Sequence, residues 1–405
     1  MRPKLLVYNL TFPPDQVSTA YLVADIVKGV SEEGWDVQVF TSTPHYNFSE
    51  DFTKISSKSG FFNRKTDYYG VPVTHCYQYK ARNIFIRGVF ILYFHLSFFS
   101  YVIFNEKPDV IYAPSPPLTS GFISGILAKL YGIKVVYNVQ EIYPDILRKS
   151  NYKLPSFIWN ALSWIERKTY EWSDKIVAID EYFARKLVLR TDSSKVCVIP
   201  NFVSFSKEEE SIIPMGLKGE LENKYVLAYF GNLGRVQNWE LIIDVMGILK
   251  ADKDIVLLLV GGGDRFEFLC NAALENENII LLPYQSKSSI KGLMELSDLH
   301  IIAMDSASDY DGLPSKSLSI LAHGKPLLVS TSSGTPLAKL TENCGNAVRV
   351  DLNDVVSFAN AVNRFKADEF THLSSRNGIT FVQMNYTREK VIDSYLKLFN
   401  DLLDS

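Results

Sequence analysis

Cysteine is scarce in this 405-residue chain: Cys76, Cys197, Cys270 and Cys344 lie far apart and form no C-x-x-C pair. That spacing excludes a disulfide-stapled scaffold and a zinc ribbon, and reads as core packing in a reducing cytoplasm. Strong net charge is also missing, at a formal −3. Bulk electrostatics therefore call for no nucleic acid, and none is expected as a partner. A leader is not expected either, because "MRPKLLVYNL" holds six apolar residues before the polar "TFPPDQ", short of a signal core. Without a secretory route, the glycosylation-type triplets at Asn9, Asn47 and Asn385 read as chance matches. The first β-rich run leads into "YNLTFPPDQVST", which has no glycine. A dinucleotide oxidoreductase would need G-x-G-x-x-G at that turn.

What is present is alternation. Short β-rich runs at 4–10, 36–42, 109–115, 134–141, 175–180 and 195–201 are separated by helix-like segments, and between the first two Leu22, Ile26, Val27 and Val30 recur at helical spacing. The pattern predicts parallel sheet with crossover helices. A polar, acidic stretch at 204–224 interrupts it, and a second series follows at 225–233, 254–263, 279–284, 298–304, 325–331 and 346–351. Two doubly wound α/β domains are expected, and a late amphipathic helix at 388–403 has no strand after it. The halves differ in charge: residues 1–204 carry 23 Lys and Arg against 18 Asp and Glu, the remainder 19 against 27.

One run, "IFIRGVFILYFHLSFFSYVIF" (84–104), is long enough to cross a bilayer, at about 31 Å as a helix. Arg87 and His95 interrupt it, and strands of one sheet flank it, so a buried or membrane-surface helix is the reading adopted. The aromatic segment 157–172 offers the same two alternatives, core or lipid surface.

Open parallel sheets bind ligands where strands end and helices begin, and three such junctions in the second series suit a phosphate. In "FGNLGRVQNW", Gly231 and Gly234 permit a tight turn and Arg235 supplies a cation; a plain loop with a surface arginine fits equally well. Gly261, Gly262 and Gly263 read either as phosphate approach or as close packing. In "DYDGLPSKSLSILAHG", Pro314, Ser315 and Lys316 open a helix with a fixed φ, a hydroxyl and an ammonium, against the bland alternative of a cap and a solvated charge. The pair Asp309 and Asp311 lacks any supporting ligand cluster, so no structural metal is expected. In the first series, Glu141 and Asp145 follow a strand and can orient a hydroxyl or serve as cap and salt-bridge partner. Gln16, Ser18 and His45 lie at the same strand ends.

Taken in order, "FPPDQVSTAYLVADI", "PDVIYAPSPPLTSG", "VQEIYP", "VIPNF", "FGNLG", "VGGG", "GLPSK" and "NYTREKVIDSYLKLF" resemble the retaining GT-B glycosyltransferases of family 4, of the kind that build bacterial O-antigen, capsule and exopolysaccharide. The resemblance covers nearly the whole chain. It implies two Rossmann-like domains, an acceptor-binding one at 1–204 and a nucleotide-sugar-binding one at 205–380, with a helix at 381–405 crossing back to the first. It implies transfer of a sugar, expected from a UDP-sugar, to a lipid-linked saccharide. The expected place is the cytoplasm, with peripheral contact at the inner membrane face.

By the same resemblance, the donor would meet Asn201, Gly231, Asn232, Arg235, Gly263, Tyr284, Gly312, Leu313, Pro314, Ser315 and Lys316. The acceptor would meet Gln16, Ser18, His45 and Ser115, and Glu141 and Asp311 would serve catalysis. No tightly bound cofactor and no Mg²⁺ requirement are implied. Two places that commonly hold glutamate carry Asp311 and Ser319, and an Arg and a Lys of the family correspond to Asn232 and Gln237. A nucleotide-sugar 2-epimerase and a non-catalytic partner subunit share the architecture and stay open at this point.

Overall fold

The structure is a computed structural model and describes residues 2–15, 17–45, 51–59, 63–79, 83–149, 154–203 and 211–404. Chain contacts divide it into two units, one of Met1–Asn201 with Arg388–Ser405 and one of Phe202–Thr387.

The first unit begins with β1 (Lys4–Tyr8), α1 (Ser18–Glu32) and β2 (Asp36–Ser42), a βαβ start in which hydrophobic runs become parallel neighbours. Then come α2 (Phe52–Ile55), β3 (Ser57–Ser59), β4 (Asn63–Tyr68), β5 (Val71–Cys76) and α3 (Ile84–Phe104). The chain continues through β6 (Val110–Pro114), α4 (Leu118–Tyr131), β7 (Lys134–Val139), α5 (Asp145–Lys149) and α6 (Ser156–Trp172). It closes with β8 (Lys175–Ala178), α7 (Glu181–Val188) and β9 (Val196–Val198). The sheet order is β3-β4-β5-β2-β1-β6-β7-β8-β9, parallel except where β4 meets β3 and β5. Successive connections step away from β1 in one direction and, after α3, in the other, so a topological switch point lies between β1 and β6.

The second unit holds α8 (Leu217–Glu220), β10 (Tyr225–Asn232), α9 (Trp239–Leu249), β11 (Ile255–Gly262), α10 (Phe266–Glu275) and β12 (Ile279–Leu282). It continues with α11 (Lys287–Leu296), β13 (Leu299–Ala303), α12 (Ser315–Ala322), β14 (Leu327–Ser330) and α13 (Pro336–Cys344). Last come β15 (Ala347–Val350), α14 (Val355–Lys366) and α15 (Ser375–Asn385). Its sheet, β12-β11-β10-β13-β14-β15, is wholly parallel and switches direction between β10 and β13. Central strands such as β11 are buried on both faces, which is why they read as unbroken Val and Leu.

Beyond α15 the chain returns to the first unit as α16 (Arg388–Leu403). Its apolar stripe, including Val391, Ile392, Tyr395 and Phe399, is buried. Phe399 meets Trp35 with centroids 5.7 Å apart, and the Tyr112 hydroxyl donates to that of Tyr395 at 3.1 Å. A Cβ on Gly29 of α1 would stand 2.3 Å from Ile392 Cδ1, so α1 and α16 approach closely because that glycine is bare.

The paired strands β3 and β4 were not anticipated. Their "SKS" and "NRKTDY" sequences lack apolar alternation because β3 is the edge strand, β4 lies next to it and neither buries a side chain fully. The long apolar helix α3 lies on the sheet: Phe94, Phe98 and Val102 are buried, and the Tyr8 and Phe98 rings stack at 3.5 Å. Segment 157–172 is mixed, with Thr169 and Tyr170 buried while Phe157 and Trp164 are exposed. Cys76 and Cys344 are buried, Cys197 and Cys270 half-buried, and all four are free thiols.

Candidate functional site

At the switch point of the second unit, β10 ends in Gly231 and Asn232, and α12 follows β13. Leu313, half-buried, packs against the core beneath that helix. Pro314 occupies the N-cap of α12 and supplies no side-chain acceptor, so the helix opens with uncapped N–H groups. Lys316 turns inward from this first turn. Its ammonium lies 3.6 Å from the centroid of the Tyr229 ring and hydrogen-bonds the Tyr229 hydroxyl. A Cβ on Gly231 would stand 3.2 Å from Lys316 Nζ, and the backbone there, at φ +133°, favours glycine.

Burial pulls the Lys316 ammonium from its ordinary value down to about 7. Among the described residues no carboxylate pairs with it; its partner is a phenol that burial keeps protonated. The Tyr229 hydroxyl in turn donates to Asn232 O at 2.9 Å, and Trp239 Nε1 donates to Gly234 O at 2.7 Å. Two aromatic side chains thus fix both ends of the loop that Lys316 abuts. A bound anion would complete this arrangement by charging the amine and accepting from the helix N–H groups.

The second glycine turn closes against the first. A Cβ on Gly263 would stand 2.5 Å from Asn232 Oδ1 and 2.7 Å from Leu233 O, at φ +153°. Tyr284, two-thirds exposed, donates its hydroxyl to Gly262 O at 2.8 Å and lays its ring over that turn.

The first unit has a cavity of about 110 Å³ at its own switch point, walled by Asn9 and Thr11 after β1, Ser115 after β6 and Gln140 after β7. Ser115 Oγ is buried and accepts the Gln140 N–H at 3.0 Å and the Glu141 N–H at 3.4 Å, which aims the β7 loop. Gln140 also exchanges amide hydrogen bonds with Asn201, at 2.8 and 3.1 Å. His45 is held at the end of β2 by Asp15, whose carboxylate accepts its N–H at 3.0 Å. Among the described residues, no group of three or more His, Cys, Asp or Glu side chains is arranged to hold a metal ion.

Residues 19–207 match the family described as Glycosyltransferase Family 4, and residues 217–379 match Glycosyl transferases group 1. The chain is 23% identical over 368 residues to a colanic acid biosynthesis glycosyl transferase of Escherichia coli K12, covering 87% of this chain and 89% of that protein. It is 22% identical over 314 residues to an Escherichia coli UDP-Gal:alpha-D-GlcNAc-diphosphoundecaprenol alpha-1,3-galactosyltransferase, covering 74% and 77%. Among solved structures, Anabaena HepE in complex with UDP superposes with a TM-score of 0.72 at 13% identity, covering 98% of this chain and all of that one. The chain belongs to glycosyltransferase family 4. Its fold is the GT-B fold of two Rossmann-like units.

Placed in this glycosyltransferase, the sequence-derived candidates sort themselves. Gly231, Asn232, Gly263, Tyr284, Gly312, Leu313, Pro314, Ser315 and Lys316 gather at the ends of β10, β11, β12 and β13. Arg235 does not join them as a fixed cation: it is largely exposed and reaches Asp264 at 3.6 Å. Asn201 belongs to the first unit, with its amide engaged by Gln140 rather than free for a donor. Gln237 is buried against β13, accepting the Ala303 N–H at 3.2 Å, so it faces no anion. Asp309 is buried and structural, accepting from the Thr331 hydroxyl and from Ser332 N–H, whereas Asp311 is exposed in the loop. Asp145 takes the salt-bridge role, bonded to Arg190 at 2.5 Å. Ser18 begins α1, and Gln16 lies outside the described residues. Sequence reasoning missed Tyr229 and Gln140: the first hides in an apolar strand, and the second was overshadowed by the neighbouring carboxylate.

Proposed function

We propose that the glycosyltransferase moves a sugar from UDP-sugar to a lipid-linked saccharide in surface-polysaccharide assembly, with retention of anomeric configuration. One observation carries the donor side: an amine with no carboxylate partner among the described residues, held by Tyr229 against Gly231 beneath an uncapped helix N-terminus. UDP is favoured because HepE was solved with it and the galactosyltransferase relative is named for a UDP-sugar. The diphosphoundecaprenol in that relative's name supports the lipid-carried acceptor. Such an acceptor places the enzyme at the cytoplasmic face of the membrane. The two relatives described above are named as transferases, which weighs against an epimerase releasing free nucleotide-sugar and against a non-catalytic subunit.

In this reading the acceptor hydroxyl attacks the anomeric carbon on the face that the diphosphate leaves. The protein's task is to stabilise the leaving group, through Lys316, Ser315 and the N–H groups around Gly231, Asn232 and Gly263. The Gly312–Pro314 loop and Asp311 meet the sugar, and Tyr284 lies beside the base. Glu141, Ser115, Ser18, Gln16 and His45 orient the acceptor. Charge neutralisation by Lys316 makes Mg²⁺ dispensable.

Thermal shift with millimolar UDP, GDP, ADP and NAD tests the donor. A ligand at 100 times its Kd adds about 2.7 kcal/mol; UDP should raise the Tm, and Lys316→Ala should abolish the rise while staying folded. Stabilisation by NAD alone, or an unaltered UDP response in the variant, would remove this reading.

A further inference from the structure

The buried side of α3 is narrow and is carried by Phe94, His95, Phe98 and Val102. The other side is a stripe of Ile86, Val89, Leu92 and Leu96 at 3–4-residue spacing, each 45–64% exposed. Only 22% of the window 86–104 is buried. Tyr77 and Tyr79, about half exposed, stand beside its first turns with their rings 6.0 and 5.9 Å from Phe90. Alongside the helix runs an open groove of about 530 Å³, with Leu96 and Phe104 on one wall and Lys65 on the other.

Charge selects the occupant. From Tyr68 to Asn105 the sequence contains no Asp or Glu but has Lys80, Arg82 and Arg87. Among the described residues, neither Lys65 nor Arg87 forms an ion pair. A second copy joined across this face would set basic surface against basic surface. An anionic bilayer supplies phosphate for the cations, hydrocarbon for the stripe and an interface suited to tyrosine. Crossing the bilayer is ruled out by the other face, where Phe94 and Phe98 are fully buried and His95 bonds the Tyr8 hydroxyl and Thr119 Oγ1.

We propose that the exposed face of α3 docks in the plane of an anionic phospholipid bilayer. The helix starts at the strand-C-terminal end of the sheet, the end that holds the Asn9–Ser115–Gln140 cavity, so docking brings that end alongside the bilayer. This rests on the lipid-carried acceptor for its purpose, and its test is independent of it.

The full chain is floated with vesicles of phosphatidylcholine containing phosphatidylglycerol, and with phosphatidylcholine alone. Wild type should float with the anionic vesicles and release at high salt; Leu92→Glu/Leu96→Glu should bind about tenfold more weakly while keeping its UDP-induced Tm rise. Lys316→Ala should lose the UDP response and still float. Absence of flotation by wild type, or equal flotation by the double variant, overturns the proposal. So does a wild-type dimer that the double variant converts to monomer without any lipid binding. Flotation without any UDP response in wild type would remove the donor reading alone.

Discussion

Lys316 shows how burial turns an ordinary residue into a responsive one. Between pH 7 and 10.5 the unfolded chain holds a proton here that the folded one lacks, so this group makes folding stability rise with pH across that window. Binding runs the other way. A diphosphate favours the charged amine, so UDP binding takes up a proton above pH 7, and affinity should fall by up to about tenfold per pH unit. Titration calorimetry in buffers of different ionisation enthalpy measures that uptake; Lys316→Arg, charged throughout, should show none. At Gly263 the constraint is steric. Gly263→Ala would force a positive φ and press a methyl against Leu233 O, at an expected cost of about 1–3 kcal/mol in urea unfolding.

At the scale of elements, a strand's position in its sheet decides what its sequence looks like. Strands covered on both faces, such as β10 and β11, are legible as apolar runs, whereas β3 and β4 at the wet edge are not. Helix α16 is legible as amphipathic, but its partner is not, because amphipathicity names a face and no neighbour. The bare Cα of Gly29, with Trp35 and Tyr112, supplies that neighbour. Phe399→Ala should therefore destabilise the first unit by about 3–5 kcal/mol, read as a lower urea midpoint. Buried histidines add an acid response. Burial pushes His75 and His95 down to about 4, so the folded state resists protons that the unfolded chain takes up, and stability falls from about pH 6.5 to 4.

For the whole molecule, the proposed neutralisation of the diphosphate by Lys316 predicts that EDTA leaves the rate of sugar transfer unchanged; a rate restored only by added Mg²⁺ would contradict it. The GT-B architecture and the family were readable along the chain, because alternating β and α periods have few packed solutions and because "FGNLG", "VGGG" and "GLPSK" mark the strand ends. Residue types and order thus determined by themselves where the glycine-rich loops lie. Tertiary structure alone decided which side chains serve them. It exposed Arg235, turned Gln237 and Asp309 inward, engaged Asn201 with Gln140 and brought Tyr229 beneath Lys316 from 87 residues away. The physical reason is that burial and partnership depend on neighbours distant in sequence, and desolvation changes the charge of a lysine that looks the same in every sequence.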